Sequence, residues 1–309
     1  MIINALSIAG TDPSGGAGIQ GDLKTFAALG VYGTAVVTAL VAQNTRGVAA
    51  IHPVPAAFVT AQLDSLLDDV RIDVLKIGLL GTAEVVEAVA SALARHRPPV
   101  VVLDPVMVAT SGDRLLAADA VRALRDRLLP LVDLVTPNIP EAAILLGAAA
   151  ATDEDDMLGQ LDRLVQLGPA VLLKGGHLLG PDSVDLLHAD GTTTRLSAAR
   201  VRTRSTHGTG CTLSAALAAL RPQHPDWVGT ARAAKHYLTG ALLAADSLDV
   251  GHGHGPVHHL HALWAPGGGA AQSTGSGPVT SAPTTPGRAR NNEPTGCPAR
   301  PGSTGEVVM

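Results

Sequence analysis

Between residues 1 and 264 the chain alternates short apolar runs rich in Val, Ile and Leu with longer stretches whose apolar positions recur at helical spacing. The short runs have the length of buried strands, and the longer ones have the period of a helix with one face toward a core. Strands are predicted at 3–8, 35–41, 74–77, 100–103, 134–135, 170–173, 184–188 and 193–196. Helices are predicted at 17–29, 56–67, 83–95, 119–128, 141–146, 153–167, 209–220 and 230–247. That order predicts an α/β fold, with a mostly parallel central sheet flanked by helices on both faces. No internal repeat runs through the pattern.

After Trp264 the pattern stops. Residues 265–309 hold 9 Gly, 7 Pro and no aromatic residue, too little apolar surface to offset the entropy of ordering them. The expected division is therefore a folded domain at 1–264 and a disordered tail at 265–309. The chain of 309 residues is 46% hydrophobic but only 2% aromatic, so the core must be built from Ala, Val, Leu and Ile. A net charge of -5 and the lack of any Lys/Arg cluster argue against a nucleic-acid partner. No apolar stretch is long enough to span a bilayer and no secretory leader is evident, so no membrane association and a cytoplasmic location are expected. Cys211 and Cys297 sit in very different contexts, which suits reduced thiols better than a disulfide framework.

In an open parallel sheet, ligands bind beyond the carboxyl ends of the strands, so polar residues there carry the most weight. The stretch His207-Gly208-Thr209-Gly210-Cys211 runs directly into an Ala- and Leu-rich helix. Two glycines let the backbone bend and aim successive amides at one point, and the helix start adds the positive end of its dipole. The result is a cradle for an anion, and the same field favours a thiolate at Cys211 as nucleophile or base. A Gly-rich turn before a core cysteine is the other reading of that stretch.

Residues 9–18 include Gly10, Asp12, Gly15, Gly16 and Ala17 without a Walker A or strict GxGxxG pattern, which suits either close approach to a small ligand or a plain turn. Gln43 offers a donor and an acceptor together, matching the edge of an aminopyrimidine, although a lone Gln also serves as a turn residue. Asp104 follows the fourth strand, and Asn138 and Glu141 follow the fifth; such hard oxygens suit Mg²⁺ held mainly through water and substrate phosphates. Asn-x-x-Glu is equally a helix cap with its capping-box partner. Lys174, before Gly175 and Gly176, places a cation where a phosphate could approach. An anion cradle, oxygen ligands, a lysine and a proton acceptor together read as a nucleotide phosphoryl-transfer site.

The same residues carry a resemblance. INALSIAGTDPSGGAGIQGDLKTFAALG, VVTALVAQNTRGV, KIGLLG, VVLDPVM, TPNIPEA, VLLKGGH, THGTGCTLSAALAAL and GHGPVHHLH occur in one order from Met1 to about Trp264. This run resembles the bacterial hydroxymethylpyrimidine/phosphomethylpyrimidine kinases of thiamine biosynthesis, within the ribokinase-like superfamily. The resemblance implies a ribokinase-like fold, ATP and Mg²⁺ as cofactors, and two successive phosphorylations of 4-amino-5-hydroxymethyl-2-methylpyrimidine. It implies that Gln43, Gly10, Asp12 and Ala17 bind the pyrimidine, and that Gly208, Thr209 and Gly210 face the transferring phosphate. Cys211 falls where sugar kinases of the superfamily carry an aspartate base, so it is expected to contact the hydroxymethyl group and accept its proton. Asn138, Glu141 and Asp104 are implied near Mg²⁺, and Lys174, Asp104 and Thr209 near the nucleotide phosphates. The superfamily often dimerises, so a homodimer fits as well.

Leu79 stands where relatives often carry Met, a nearly volume-conserving change. His252 stands where Lys is common, which makes any charge from that loop pH-dependent. Five histidines at 252, 254, 258, 259 and 261 invite a zinc reading, but an imidazole-rich loop closing on the nucleotide pocket fits the motif better. Two other functions remain open on sequence: a pyridoxal kinase, whose substrate also carries a hydroxymethyl group, and a noncatalytic pyrimidine-binding protein.

Overall fold

The computed structural model describes residues 1–107 and 116–264. Residues 265–309, read above as a tail, lie outside them. Among the described residues nine strands form one sheet in the order β3-β2-β1-β4-β5-β6-β7-β8-β9. They are β1 (Asn4–Gly10), β2 (Tyr32–Asn44), β3 (Gly47–Pro53), β4 (Val74–Ile77), β5 (Val101–Leu103), β6 (Leu134–Val135), β7 (Ala170–Lys174), β8 (Asp182–Ala189) and β9 (Thr192–Ala199). The run from β2 to β7 is parallel; β3, β8 and β9 extend it through antiparallel hairpins.

Eight α-helices cover the sheet: α1 (Gly18–Ala28), α2 (Ala56–Leu67), α3 (Ala83–His96), α4 (Ala118–Ala123), α5 (Ile139–Leu146), α6 (Glu154–Leu164), α7 (Thr209–Leu220) and α8 (Trp227–Leu243). The two-residue alternation of the central strands divides the core. Leu6, Ile8, Leu75 and Ile77 face Val59, Leu63, Val85 and Val89 of α2 and α3. On the other face Ala5 and Val74 meet Phe26 of α1 and the alanines of α7. Small side chains let α7 lie close to the sheet: Ala215, Ala216, Ala218 and Ala219 are fully buried, as befits a helix that is apolar all round.

Most expected elements are present, with shifted ends. β3 was not expected. It is an edge strand with exposed side chains, so no hydrophobic alternation marks it, and only its pairing with β2 across Thr45-Arg46 makes it a strand. That pairing also extends β2 through Gln43 and Asn44, which were expected beyond the strand end. The helix expected at 119–128 is α4 followed by a π-helical turn at Leu124–Leu128. α8 starts three residues early, where Asp226 accepts the Gly229 amide at 2.7 Å as N-cap. No helix among the described residues is long and apolar enough to cross a membrane.

Candidate active site

A cavity of about 690 Å³ opens at the carboxyl ends of the parallel strands. Gly10, Ala17, Gln43 and Leu79 line it on the side of β1, β2 and β4, and Gly176, His177, Lys235 and Thr239 on the side of β7 and α8. Asp104, Lys174 and the loop Gly208–Cys211 line it as well. The sheet thus gathers residues from across the whole sequence at the crevice where strand order changes direction.

Gly208 caps α7 with φ of 81°, a left-handed conformation that suits glycine. A Cβ there would overlap the Gly16 carbonyl, so the loop before α7 and the loop after β1 pack backbone to backbone. As second and third residues of α7, Gly210 and Cys211 have N–H groups without an intrahelical acceptor. A Cβ at Gly210 would come within 3.3 Å of Lys174 Nζ and 3.5 Å of Asp104 Oδ2, which brings this helix start beside the charged pair.

Lys174 donates to Asp104 Oδ1 at 2.8 Å and stands 3.9 Å from Glu141 Oε2. Asp104 also accepts from Thr136 at 3.1 Å and Ser214 at 3.3 Å. Burial works against the charge on Asp104, but Lys174 and Lys76 more than offset it and hold the carboxyl below the usual range. Glu141 shows the opposite balance: burial, aided by repulsion from Asp104, pushes it up to about 7 despite Lys174. Asn138 and Glu141 form the capping box of α5, with Glu141 N–H on Asn138 Oδ1 at 2.9 Å and Asn138 N–H on Glu141 Oε2 at 2.8 Å. The cap and the site position coexist, because the capped end of α5 is itself part of the cavity wall.

Asp12 lies at the back of the loop after β1 and is fully buried. Its Oδ1 accepts Ser14 N–H and Oγ–H; its Oδ2 accepts the amides of Gly16 and Ala17 at 3.0 and 2.8 Å and meets His207 Nε2 at 2.7 Å. Burial opposes its charge, but these hydrogen bonds, His207 foremost, hold the carboxyl well below its usual range. Asp12 therefore frames the loop, while Gly10 and Ala17 line the cavity. Gln43 is paired with Val48 through the β2–β3 ladder, and its side chain lines the cavity with no hydrogen-bond partner among the described residues.

Two expectations need correction. The helix field was expected to favour a thiolate at Cys211, yet burial pushes the thiol up to about 11, outweighing Lys76 and the Gly18 amide that lower it. The histidine segment was expected against the nucleotide pocket. Instead His254 N–H bonds Thr45 O at 2.8 Å, Pro256 bridges His207, and His259 Nε2 meets Thr212 Oγ1 at 3.1 Å, so the segment backs the β2–β3 turn and the start of α7. Among the described residues no three His, Cys, Asp or Glu are grouped to hold a metal, which gives the zinc reading no support.

Residues 12–258 match the family model described as phosphomethylpyrimidine kinase. The chain belongs to the phosphomethylpyrimidine kinase family. It is 59% identical to the hydroxymethylpyrimidine/phosphomethylpyrimidine kinase of Escherichia coli over 85% of this chain and 99% of that protein. It is 52% identical to the Rhizobium meliloti enzyme of the same name, over 84% of this chain and 98% of that one. Among solved structures, a Bacillus subtilis pyridoxal kinase in complex with ADP superposes with TM-score 0.79 at 34% identity, covering 85% of this chain and 99% of that one. A phosphomethylpyrimidine kinase from Clostridium difficile superposes with TM-score 0.69 at 37% identity, covering 78% and 99%. The fold is thus that of the ribokinase-like vitamin kinases.

Sequence reasoning within this phosphomethylpyrimidine kinase family member missed several side chains at or under the cavity. Lys76 is fully buried in β4 against Asp22, and Lys235 pairs with Asp185 at 2.6 Å beside Gly175. A lysine inside a four-residue apolar strand was the one signal that pointed to the first. Nothing local marked Lys235, since a helix carries many solvated lysines.

Proposed function

We propose that this chain is an ATP-dependent kinase that phosphorylates 4-amino-5-hydroxymethyl-2-methylpyrimidine to its monophosphate and then to its diphosphate, in thiamine biosynthesis. The single observation that carries this reading is the union, in one cavity, of the free Gln43 amide with the Gly208–Cys211 anion loop. Family membership and the named activity of the Escherichia coli relative support the same substrate.

In this reading the pyrimidine lies between Gly10, Ala17, Val41 and Leu79, with its amino and ring-nitrogen edge on Gln43. The amides of Gly210 and Cys211 face the transferring phosphoryl group, and Lys174 neutralises its charge. ATP extends toward Gly176, His177 and Thr239. The Cys211 thiol stands in the same wall and positions the hydroxymethyl group; with its own proton retained near neutral pH it is no base, and the hydroxymethyl proton passes to a phosphoryl oxygen or to solvent as the bond to phosphorus forms. A loose transition state asks little more of it.

Asp104 and Glu141 fit a divalent cation. Two buried carboxylates share one ammonium, and burial together with repulsion from Asp104 pushes Glu141 up, a charge imbalance that a cation would relieve. So few protein ligands suit Mg²⁺, which keeps water and phosphate oxygens and would supply charge neutralisation on the nucleotide. Asp104, Glu141 and Asn138 are the residues that would hold it. Two cysteines in very different contexts suit reduced thiols and so a cytoplasmic setting, and the habit of the superfamily supports a homodimer.

The test is ATP consumption with Mg²⁺ on the pyrimidine, its monophosphate and pyridoxal side by side, with products weighed by mass spectrometry. Conversion of the pyrimidine to mono- and then diphosphate is expected. Turnover of pyridoxal alone would overturn the substrate, and binding without any ATP consumption would overturn the kinase.

A further inference from the structure

Ser7, Asp22 and Lys76 form a cluster that the chemistry above leaves unused. All three are fully buried. They meet on the face of the sheet that carries α1 and α7, because Ser7 and Lys76 alternate with the apolar residues Leu6, Ile8, Leu75 and Ile77 that point the other way. Lys76 Nζ lies 2.9 and 2.8 Å from the two oxygens of Asp22, and Ser7 Oγ donates to one of them at 2.5 Å. The lysine side chain runs along β4 toward the carboxyl end of the sheet, for a Cβ at Gly78 would stand 3.0 Å from the ammonium. Residue 78 leaves that space open, and Leu79 beyond it lines the cavity.

A buried ion pair is poor value as a staple, since apolar side chains of similar volume commonly do as well. Its orientation suggests another use. The charged groups around the Cys211 sulfur are Lys76 from β4, Asp22 from α1, Asp104 after β5 and Lys174 from β7. The Gly18 amide bonds the sulfur, and Asp22 lies one turn further along α1, so the ammonium that Asp22 holds at 2.8 and 2.9 Å stands behind the start of α7. The same ammonium acts on Asp104 beside Lys174.

We propose that Lys76, clamped by Asp22 and Ser7, is a positioning residue of the phosphoryl-transfer site: a fixed cation behind the start of α7 that reinforces the anion cradle formed by Gly208–Cys211. It touches no substrate. It acts by setting the potential in which Cys211 and the cradle amides work, and unlike Lys174 it cannot be drawn away by phosphate because Asp22 holds both its position and its protonation. The proposal rests on the kinase reading above.

The full-length chain and its K76M/D22N variant, which removes both charges and keeps the volumes, are compared for kcat, for KM of the pyrimidine and of ATP, and for melting temperature. The expected result is a kcat lower by roughly tenfold or more with both KM values within about twofold, a smaller loss than removal of a direct oxyanion donor brings. A purely structural pair would leave a folded double variant with kcat within about threefold of the parent, and that result overturns the proposal. Should the double variant not fold, G78A decides: its methyl group crowds the ammonium at 3.0 Å and Ala9 Cβ at 3.2 Å, so KM of the pyrimidine is read beside kcat and must stay within about twofold. Loss of kcat with an unchanged melting temperature supports the proposal, and unchanged kcat overturns it. Failure of the kinase reading would show separately, as an inactive parent.

Discussion

Replacing Asp12 by Asn tests whether the loop after β1 is built around one buried charge. The carboxylate accepts from Ser14, Gly16 and Ala17 and meets His207, and it is fully buried, so no solvent screens the change. An amide group must face one of these donor sets. The least costly choice turns the NH₂ toward Ser14, whose hydroxyl can rotate to accept while its N–H is orphaned at about 1–3 kcal/mol. The bonds from Gly16, Ala17 and His207 then go from charge-assisted to neutral, at about 1 kcal/mol each. The sum is about 4–6 kcal/mol, which for a domain of this size lowers the melting temperature by roughly 10–20 °C. Because Gly10 and Ala17 bound the cavity on either side of Asp12, KM for the pyrimidine should rise several-fold while KM for ATP changes little. Thermal melts and steady-state kinetics with each substrate varied in turn measure both. A D12N protein that melts within about 2 °C of the parent, with both KM values unchanged, refutes this account of the loop.

Gly208→Ala should cost at least about 1–2 kcal/mol from its left-handed φ alone, and should cut kcat by about 10²-fold or more as the clash with Gly16 displaces the cradle amides; a variant with full kcat would show that those amides do not face the phosphoryl group. Cys211→Ala should lower turnover by up to about 10²-fold while ATP still binds, read by single-turnover assay and nucleotide titration; near-normal turnover would remove its role in positioning the hydroxymethyl group. His259 is held neutral down to about 4 by burial and by nearby Lys24 and His258. Its folded form binds a proton less readily than its unfolded form, so stability is lost as pH falls from 6.5 toward 4, by up to about 3 kcal/mol. Glu141, raised from 4.5 to about 7, works the other way over much of that range, so the melting curve of H259Q must be subtracted from that of the parent; a difference flat between pH 7 and 4 would contradict the assignment.

Much of this protein was legible in order and pattern. The runs at 74–77 and 134–135 are strands to the residue because strands buried on both faces are apolar nearly throughout, Lys76 with its partner Asp22 being the exception. The turn at Gly208 and the helix after it were legible because a glycine pair before an alanine-rich run is a local device, complete within a few residues. What the sequence could not decide is how groups distant along the chain meet. Asp12 and His207 are 195 positions apart, and only the packing of Gly16 against Gly208 makes them partners. The β3 strand exists only through its pairing with β2, since an exposed edge needs no apolar pattern. The protonation of Cys211 and Glu141 depends on how deeply the fold buries them and which charges it sets nearby. Local residue types thus determined which chemistry was at hand, and tertiary burial determined the charges with which that chemistry begins, because the cost of a charge is set by its surroundings and not by its neighbours in sequence.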